Sequence, residues 1–190
     1  MTGLRTLLLA TAVFVATAPA ASAYESFGWG LDGNPLDMGR QIANPIPRTT
    51  VNVADQYPAG TILVNTAERR LYLMTGNGEA IRYGIGVGRD GFRWSGTHKI
   101  TAMKEWPDWT PPAQMLARRR DLPRHMKGGV DNPLGARAMY LGSTLYRIHG
   151  SNEPETIGTA VSSGCFRMTN DDVQDLYKRV KIGATVIVKN

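Results

Sequence analysis

Arg70-Leu71-Tyr72-Leu73-Met74-Thr75-Gly76-Asn77-Gly78 is the stretch on which the fold class turns. Leu71 and Leu73 alternate with Tyr72 and Met74, a period of two that suits a strand and not a helix. Asn77-Gly78 is a strong signal for a two-residue hairpin turn, whose central positions need positive φ. Ile81, Tyr83, Ile85 and Val87 then alternate with small or polar residues, so the chain is expected to return as a second strand. Outward from this hairpin the strand signals continue. Thr61 to Thr66 precedes it, and Thr97 to Met103, Ala138 to Leu141, Leu145 to His149 and Thr185 to Val188 follow. One clear helix is expected from Asp171 to about Val180, with Val173, Leu176, Tyr177 and Val180 on one face. Asn170 is its expected N-cap, Asp171 and Asp172 suit the positive end of its dipole, Lys178 and Arg179 the other, and Gly183 closes it. The pattern describes a mainly β domain with short helices and no internal repeats.

The chain of 190 residues opens with the three parts of an export signal. Arg5 supplies the positive start, Leu7 to Ala18 an apolar run, and Ala21-Ser22-Ala23 a small-residue cleavage site. The run is short of the roughly 20 residues a transmembrane helix needs. Residues 1–23 are therefore expected to be removed, and an uncleaved anchor is the weaker reading. Residues 24–58, rich in Gly, Pro, Asn and Asp, read as a loosely structured lead-in, and residues 59–189 as the domain. Loss of Arg5 takes the net charge from +6 to +5. That balance suits an anionic polymer such as a cell wall, a membrane surface or nucleic acid, and export argues against the last.

Gly86-Val87-Gly88-Arg89-Asp90-Gly91 matches the spacing of a dinucleotide fingerprint, yet Phe92-Arg93-Trp94-Ser95-Gly96-Thr97 follows, which opens no helix. A strand ending in a turn explains these glycines. Glu105 to Arg137 is irregular, with a basic cluster at Arg118, Arg119, Arg120, Arg124 and Lys127 and a short helix expected around Gln114 to Arg120. So long a segment is either a binding loop or a solvated surface excursion.

Cys165 is the one cysteine, in Ser162-Ser163-Gly164-Cys165-Phe166-Arg167-Met168. Exported without a disulfide partner, it is either a buried inert thiol or a nucleophile. His149 ends an expected strand 16 residues earlier, close enough in sequence for an intervening loop to bring the two together. A neighbouring imidazolium or a helix N-terminus would lower the thiol pKa, and Gly164 leaves room for backbone amides to face a reacting carbonyl. His98 and His125 compete as bases. The histidines show no metal-ligand spacing, and there is no Gly-x-Ser-x-Gly elbow.

Ile148-His149-Gly150, then Ser162 to Met168, then an acidic helix and a closing strand together resemble the catalytic signature of L,D-transpeptidases with a YkuD-type domain. The resemblance implies a β-sandwich with short helices. It makes Cys165 the nucleophile, His149 the general acid/base and the Gly150 carbonyl the group that orients the imidazole. Ser162, Ser163 and Gly164 shape the substrate pocket, and amides near Cys165 form the oxyanion hole. The family often has His where this chain has Ser163, and Asn where it has Arg167. Arg167 either holds a substrate carboxylate or forms a salt bridge to Asp171 or Asp172. The implied reaction joins the third residues of two peptidoglycan stem peptides through a cysteinyl thioester, releasing D-alanine, with no cofactor. Donor and acceptor stems are the implied partners and carbapenems the implied inhibitors, at a periplasmic, wall-associated location. The same site using water as an L,D-carboxypeptidase or amidase, or an outer-membrane protein amine as acceptor, is the alternative. A silent wall-binding module is the reading from a different class.

Overall fold

The computed structural model describes residues 44–54 and 57–190. The expected signal peptide and the first part of the lead-in lie outside the described residues. The strands are β1 (Thr49–Asn52), β2 (Ile62–Asn65), β3 (Arg70–Gly76), β4 (Glu79–Gly84), β5 (Val87–Gly88), β6 (Gly96–Glu105), β7 (Arg137–Leu141), β8 (Arg147–His149), β9 (Ala160–Ser162), β10 (Phe166–Arg167) and β11 (Thr185–Lys189). The helices are α1 (Ala113–Arg118) and α2 (Asn170–Arg179).

The β3–β4 hairpin forms as its sequence dictates. Asn77 and Gly78 both take positive φ, 55° and 71°, as a primed turn requires. From it grows a ladder in the order β1-β4-β3-β2-β11-β6-β7-β8-β10, while β5 and β9 form a small parallel pair. The long strand β6 serves both halves of the sandwich. Thr97 to Lys99 pair with β11, and Ile100 to Glu105 pair with β7 beyond a register shift between Ile100 and Ala102. Ile62, Leu71 and Tyr83 from one half meet Met139, Ile148 and Phe166 from the other, and Val173 and Leu176 of α2 join the same core. Each large apolar side chain so buried is worth about 1.5–3 kcal/mol.

Two local expectations are corrected. Thr169, not Asn170, caps α2, its Oγ1 accepting from the Asp172 amide at 3.2 Å, while Asn170 is the first helical residue. Thr169 has the extended backbone a cap needs, whereas the Asn170 side chain is engaged elsewhere. The lead-in, read as loose, contributes edge strand β1, antiparallel to β4. It is tied down at Asp172, whose buried carboxylate accepts from Arg48 at 2.9 Å and from Asn44. Burial pushes the Asp172 carboxyl up, and the Arg48 and Asn44 bonds oppose that rise. The excursion between β6 and β7 is built around buried Asn132. Its Nδ2 donates to the carbonyls of Pro107 at 3.1 Å and Lys127 at 3.0 Å, and its Oδ1 accepts from the Leu134 amide at 2.9 Å.

Arg48→Ala removes the charged donor from a buried carboxylate. A hydrogen bond to a charged group is worth about 1.5–3 kcal/mol; since Arg48 is itself half-exposed, the expected loss is about 1–2 kcal/mol in urea unfolding. An unchanged midpoint would mean that this segment adds nothing to the domain.

Candidate active site

Strands β8 and β10 are parallel neighbours, with Ile148 opposite Phe166 and His149 opposite Arg167. Because side chains alternate across a sheet, Ile148 and Phe166 enter the core while Arg147, His149 and Arg167 share the opposite face. Cys165, one residue before β10, has the parity of Arg167. Two segments far apart in sequence are thereby joined by two registered pairs and by the Met168 amide donating to the His149 carbonyl at 2.8 Å.

His149 is buried, with Nδ1 at 2.6 Å from the Gly150 carbonyl. A carbonyl only accepts, so Nδ1 carries the proton and Nε2 is left with its lone pair. Gly150 is held in turn. Its amide donates to the Arg137 carbonyl at 3.0 Å, and a Cβ on it would stand 2.3 Å from Asn170 Oδ1. That same oxygen accepts from the Ala136 amide at 2.8 Å. Asn170 thus wedges the turn that carries the Gly150 carbonyl.

The Cys165 loop is braced from both ends. Ser162 Oγ donates to the Cys165 carbonyl at 2.6 Å and accepts from the Gly164 amide at 3.1 Å. Trp94 Nε1 donates to the Gly164 carbonyl at 2.8 Å, and its ring stacks on Tyr146 with centroids 4.3 Å apart. Gly164 has φ +106°, and a Cβ there would lie 2.6 Å from the Tyr146 ring, so no other residue fits without displacing that stack. The Gly164 amide is spent on Ser162, whereas the Cys165 amide has no hydrogen-bond acceptor among the described residues. Ser163 is half-buried and makes no side-chain hydrogen bond among the described residues.

The thiol donates to the Leu145 carbonyl at 3.7 Å and makes no bond to His149. Its electrostatics differ from the expected lowered pKa. Burial pushes the Cys165 thiol up, opposed by the Arg147 charge, an Arg147 backbone bond and the Arg167 charge. Burial, followed by the Arg167 charge, holds His149 down to about 3, with the Gly150 bond opposing and the Arg147 charge adding to the fall. Burial thus favours the neutral form of both side chains over a resting thiolate–imidazolium pair.

Arg167 does not meet Asp171 or Asp172. It forms an ion pair with Glu153 at 2.8 Å, because β10 points it toward the short 3-10 turn Pro154–Thr156 while Asp172 is taken by Arg48. Of the basic cluster, Arg118 comes within 5.5 Å of the Phe92 ring, which Arg89 also approaches at 4.5 Å. The Phe92 carbonyl lies 3.3 Å from where a Gly164 Cβ would be, so this end of the excursion borders the thiol loop. Arg119 pairs with Asp121. His98 packs edge-on against Trp94, and His125 faces Asp108 and Thr110 on the excursion. Among the described residues no three His, Cys, Asp or Glu side chains gather as a metal site.

Trp94, Tyr146, Arg147, Glu153 and Asn170 escaped the sequence reading. For Arg147 a signal existed: two residues before His149 in a strand, it had to share the face of that histidine. Nothing local marks Trp94 or Asn170, whose partners lie 70 and 34 residues away.

Two outcomes follow from this geometry. Alkylation of Cys165 by iodoacetamide is expected to rise steadily from pH 6 to 9, following the raised thiol, without an inflection near the usual histidine value. A plateau already reached at pH 6 would mean a preformed ion pair. Asn170→Ala is expected to speed exchange of the His149 Nδ1 proton about tenfold in NMR spectra, while Asn170→Asp, which keeps the oxygen, holds it near wild type. Equal exchange in all three would remove Asn170 from this role.

The YkuD family model, described as the L,D-transpeptidase catalytic domain, matches residues 59–188. The Escherichia coli (strain K12) protein named Probable L,D-transpeptidase YbiS is 40% identical over 170 residues, covering 82% of this chain and 54% of that one. The chain spans about half the length of the curated relatives it matches. Among solved structures, a Brucella melitensis protein named Probable carnitine operon oxidoreductase caia is 42% identical, covers 78% of this chain and 96% of its own, and has a TM-score of 0.52. An L,D-transpeptidase from Mycobacterium smegmatis shares the fold at a TM-score of 0.56 and 16% identity, over 68% of this chain and 58% of that one. An L,D-transpeptidase in complex with imipenem does so at 0.52 and 12%, over the same two shares. The β-sandwich, the His149–Gly150 turn and the braced Cys165 loop therefore sit in a chain that belongs to the YkuD family of L,D-transpeptidase catalytic domains.

Proposed function

We propose that this domain is a cysteine-dependent peptidoglycan L,D-transpeptidase that links the third residues of two stem peptides. The observation that carries the reading is the parallel β8–β10 register, which brings His149 at the end of β8 alongside the strand that Cys165 directly precedes, with Nδ1 bonded to the Gly150 carbonyl and burial favouring the neutral imidazole. His149 Nε2 takes the thiol proton as sulfur attacks the amide carbonyl between the third stem residue and the terminal D-alanine. Proton transfer coincides with attack, because neither partner is charged beforehand. The Cys165 amide donates to the developing oxyanion. The imidazolium then returns its proton to the departing D-alanine nitrogen, leaving a thioester on Cys165. An amine from a second stem attacks the thioester, His149 accepts its proton, and the thiol is regenerated. The Gly150 carbonyl keeps the imidazole in one tautomer and supports its charge through both half-reactions. No cofactor enters this cycle.

The export signal read in residues 1–23 supports a periplasmic, wall-associated location in this proposal, and the net positive charge of the chain suits that polymer. Carbapenems are expected to acylate the same sulfur, in line with the imipenem complex of a fold relative. Where water or an outer-membrane protein amine replaces the stem amine, the same thioester gives carboxypeptidase or amidase action, or protein anchoring.

The test is to incubate the full chain, and Cys165→Ala beside it, with disaccharide-tetrapeptide and to read products by mass spectrometry. The expected product is a dimer that has lost one D-alanine, absent with Cys165→Ala and abolished by prior imipenem treatment. Tripeptide without dimer would move the assignment to hydrolysis, and dimer formed by Cys165→Ala would end the thioester mechanism.

A further inference from the structure

The face of the sheet that bears the thiol is cationic. Strand pairing from β6 to β10 puts Lys104, Ala138, Tyr140, Arg147, His149 and Arg167 on it, and no paired position of that face holds a carboxylate. Arg167 is satisfied by Glu153. Arg147 is not satisfied in this way. It is half-buried, its guanidinium lies 5.1 Å from the centre of the Tyr140 ring, and it joins no ion pair among the described residues. Its Nε is buried without a partner. A stacked guanidinium is held in place by the ring while its outer N–H groups stay available to an anion. Leaving such a group unmatched costs free energy, so a fold that keeps it has a use for it.

Its place says which anion. Extending the register by one residue puts Arg147 opposite Cys165, one strand spacing away, about 4.8 Å between backbones. A peptide cleaved before its last residue carries a carboxylate only two bonds beyond the scissile nitrogen. We propose that Arg147 is a carboxylate-binding residue that recognises the free C-terminus of the leaving residue, so that the site selects donors ending one residue past the bond it breaks. This assignment rests on the transpeptidase reading for the identity of the peptide, though not for the carboxylate site itself. The Tyr140 ring orients the guanidinium, and Lys104, whose Nζ is 5.9 Å from the same ring, adds charge from its exposed side.

Iodoacetate and iodoacetamide alkylate the same thiolate and differ in one carboxylate, so the ratio of their rates reports an anion site beside Cys165 and cancels changes in thiol pKa. In Arg147→Gln the iodoacetate-to-iodoacetamide ratio is expected to fall about tenfold, as for loss of a charged hydrogen bond. In Arg167→Gln it is expected to change less than about twofold, because that charge is already compensated. Should Arg147→Gln not fold, Arg147→Lys keeps the charge without the fork and is expected to lower the ratio about threefold. An unchanged ratio in the folded Arg147 variant, or an equal fall in Arg167→Gln, overturns the proposal. With disaccharide-tetrapeptide, the wild-type preference for a free over an amidated terminal D-alanine should shrink about tenfold in Arg147→Gln. If the wild type turns over neither donor, the transpeptidase reading fails while the alkylation ratio still decides the carboxylate site.

Discussion

Two residue pairs hold this site together. Ile148 opposite Phe166 and His149 opposite Arg167 are the whole of the β8–β10 ladder, and both strands are short. Such a ladder has little backbone bonding of its own. Its register is set by burial instead: Ile148 and Phe166 sit fully in the core, and a slip by one residue would carry both to the polar face and drag His149 and Cys165 inward. Geometry at the thiol is therefore a consequence of apolar packing on the other side of the sheet. Parallel pairing also requires a crossover, and the loop from Gly150 to Gly164, with its 3-10 turn and β9, supplies it.

The Arg167–Glu153 pair belongs to that crossover. It ties β10 to the loop that leaves His149, so Arg167 takes a bracing position as well as an electrostatic one. The two arginines of the face work in opposite senses on the two partners. Each favours thiolate on Cys165, and each disfavours imidazolium on His149. With burial pressing both groups toward neutrality, a resting ion pair has no support from the surroundings of the two side chains. A carboxylate bound by Arg147 would lessen the arginine penalty on imidazolium at the moment the proton moves, coupling recognition of the donor to activation of the thiol.

Much of this was legible in the chain itself. Period-two alternation and Asn77-Gly78 specify the hairpin because they are local, and the backbone obeys them at Asn77 and Gly78. The ordered set from Ile148 to Met168 marked Cys165, His149 and Gly150 as candidates, and the structure joins His149 Nδ1 to the Gly150 carbonyl. What escaped was tertiary. Asn170 reads as a helix cap, since Asn commonly serves there, yet its side chain is drawn to the Ala136 amide and the cap passes to Thr169. Residues 49–52 looked like linker because Thr49-Thr50-Val51-Asn52 has little apolar content, and they form a strand only because β4 offers an open edge. A propensity argument cannot see a vacant edge.

That edge links the start of the domain to its chemistry. The family match begins at residue 59, but the packed unit begins earlier, since Arg48 pairs with Asp172 and Asn44 donates to it inside the first turn of α2. Asn170 lies two residues before Asp172 on the same turn, and its Oδ1 packs against the Cα of Gly150, whose carbonyl bonds His149. Loosening the preceding segment would leave Asp172 as a buried acid with neither partner, favour its protonation and strain the helix start. Strain there reaches the imidazole through one side chain and one carbonyl. The segment ahead of the matched domain is thus bound into the packing that supports His149, which begins well before the first residue of the signature.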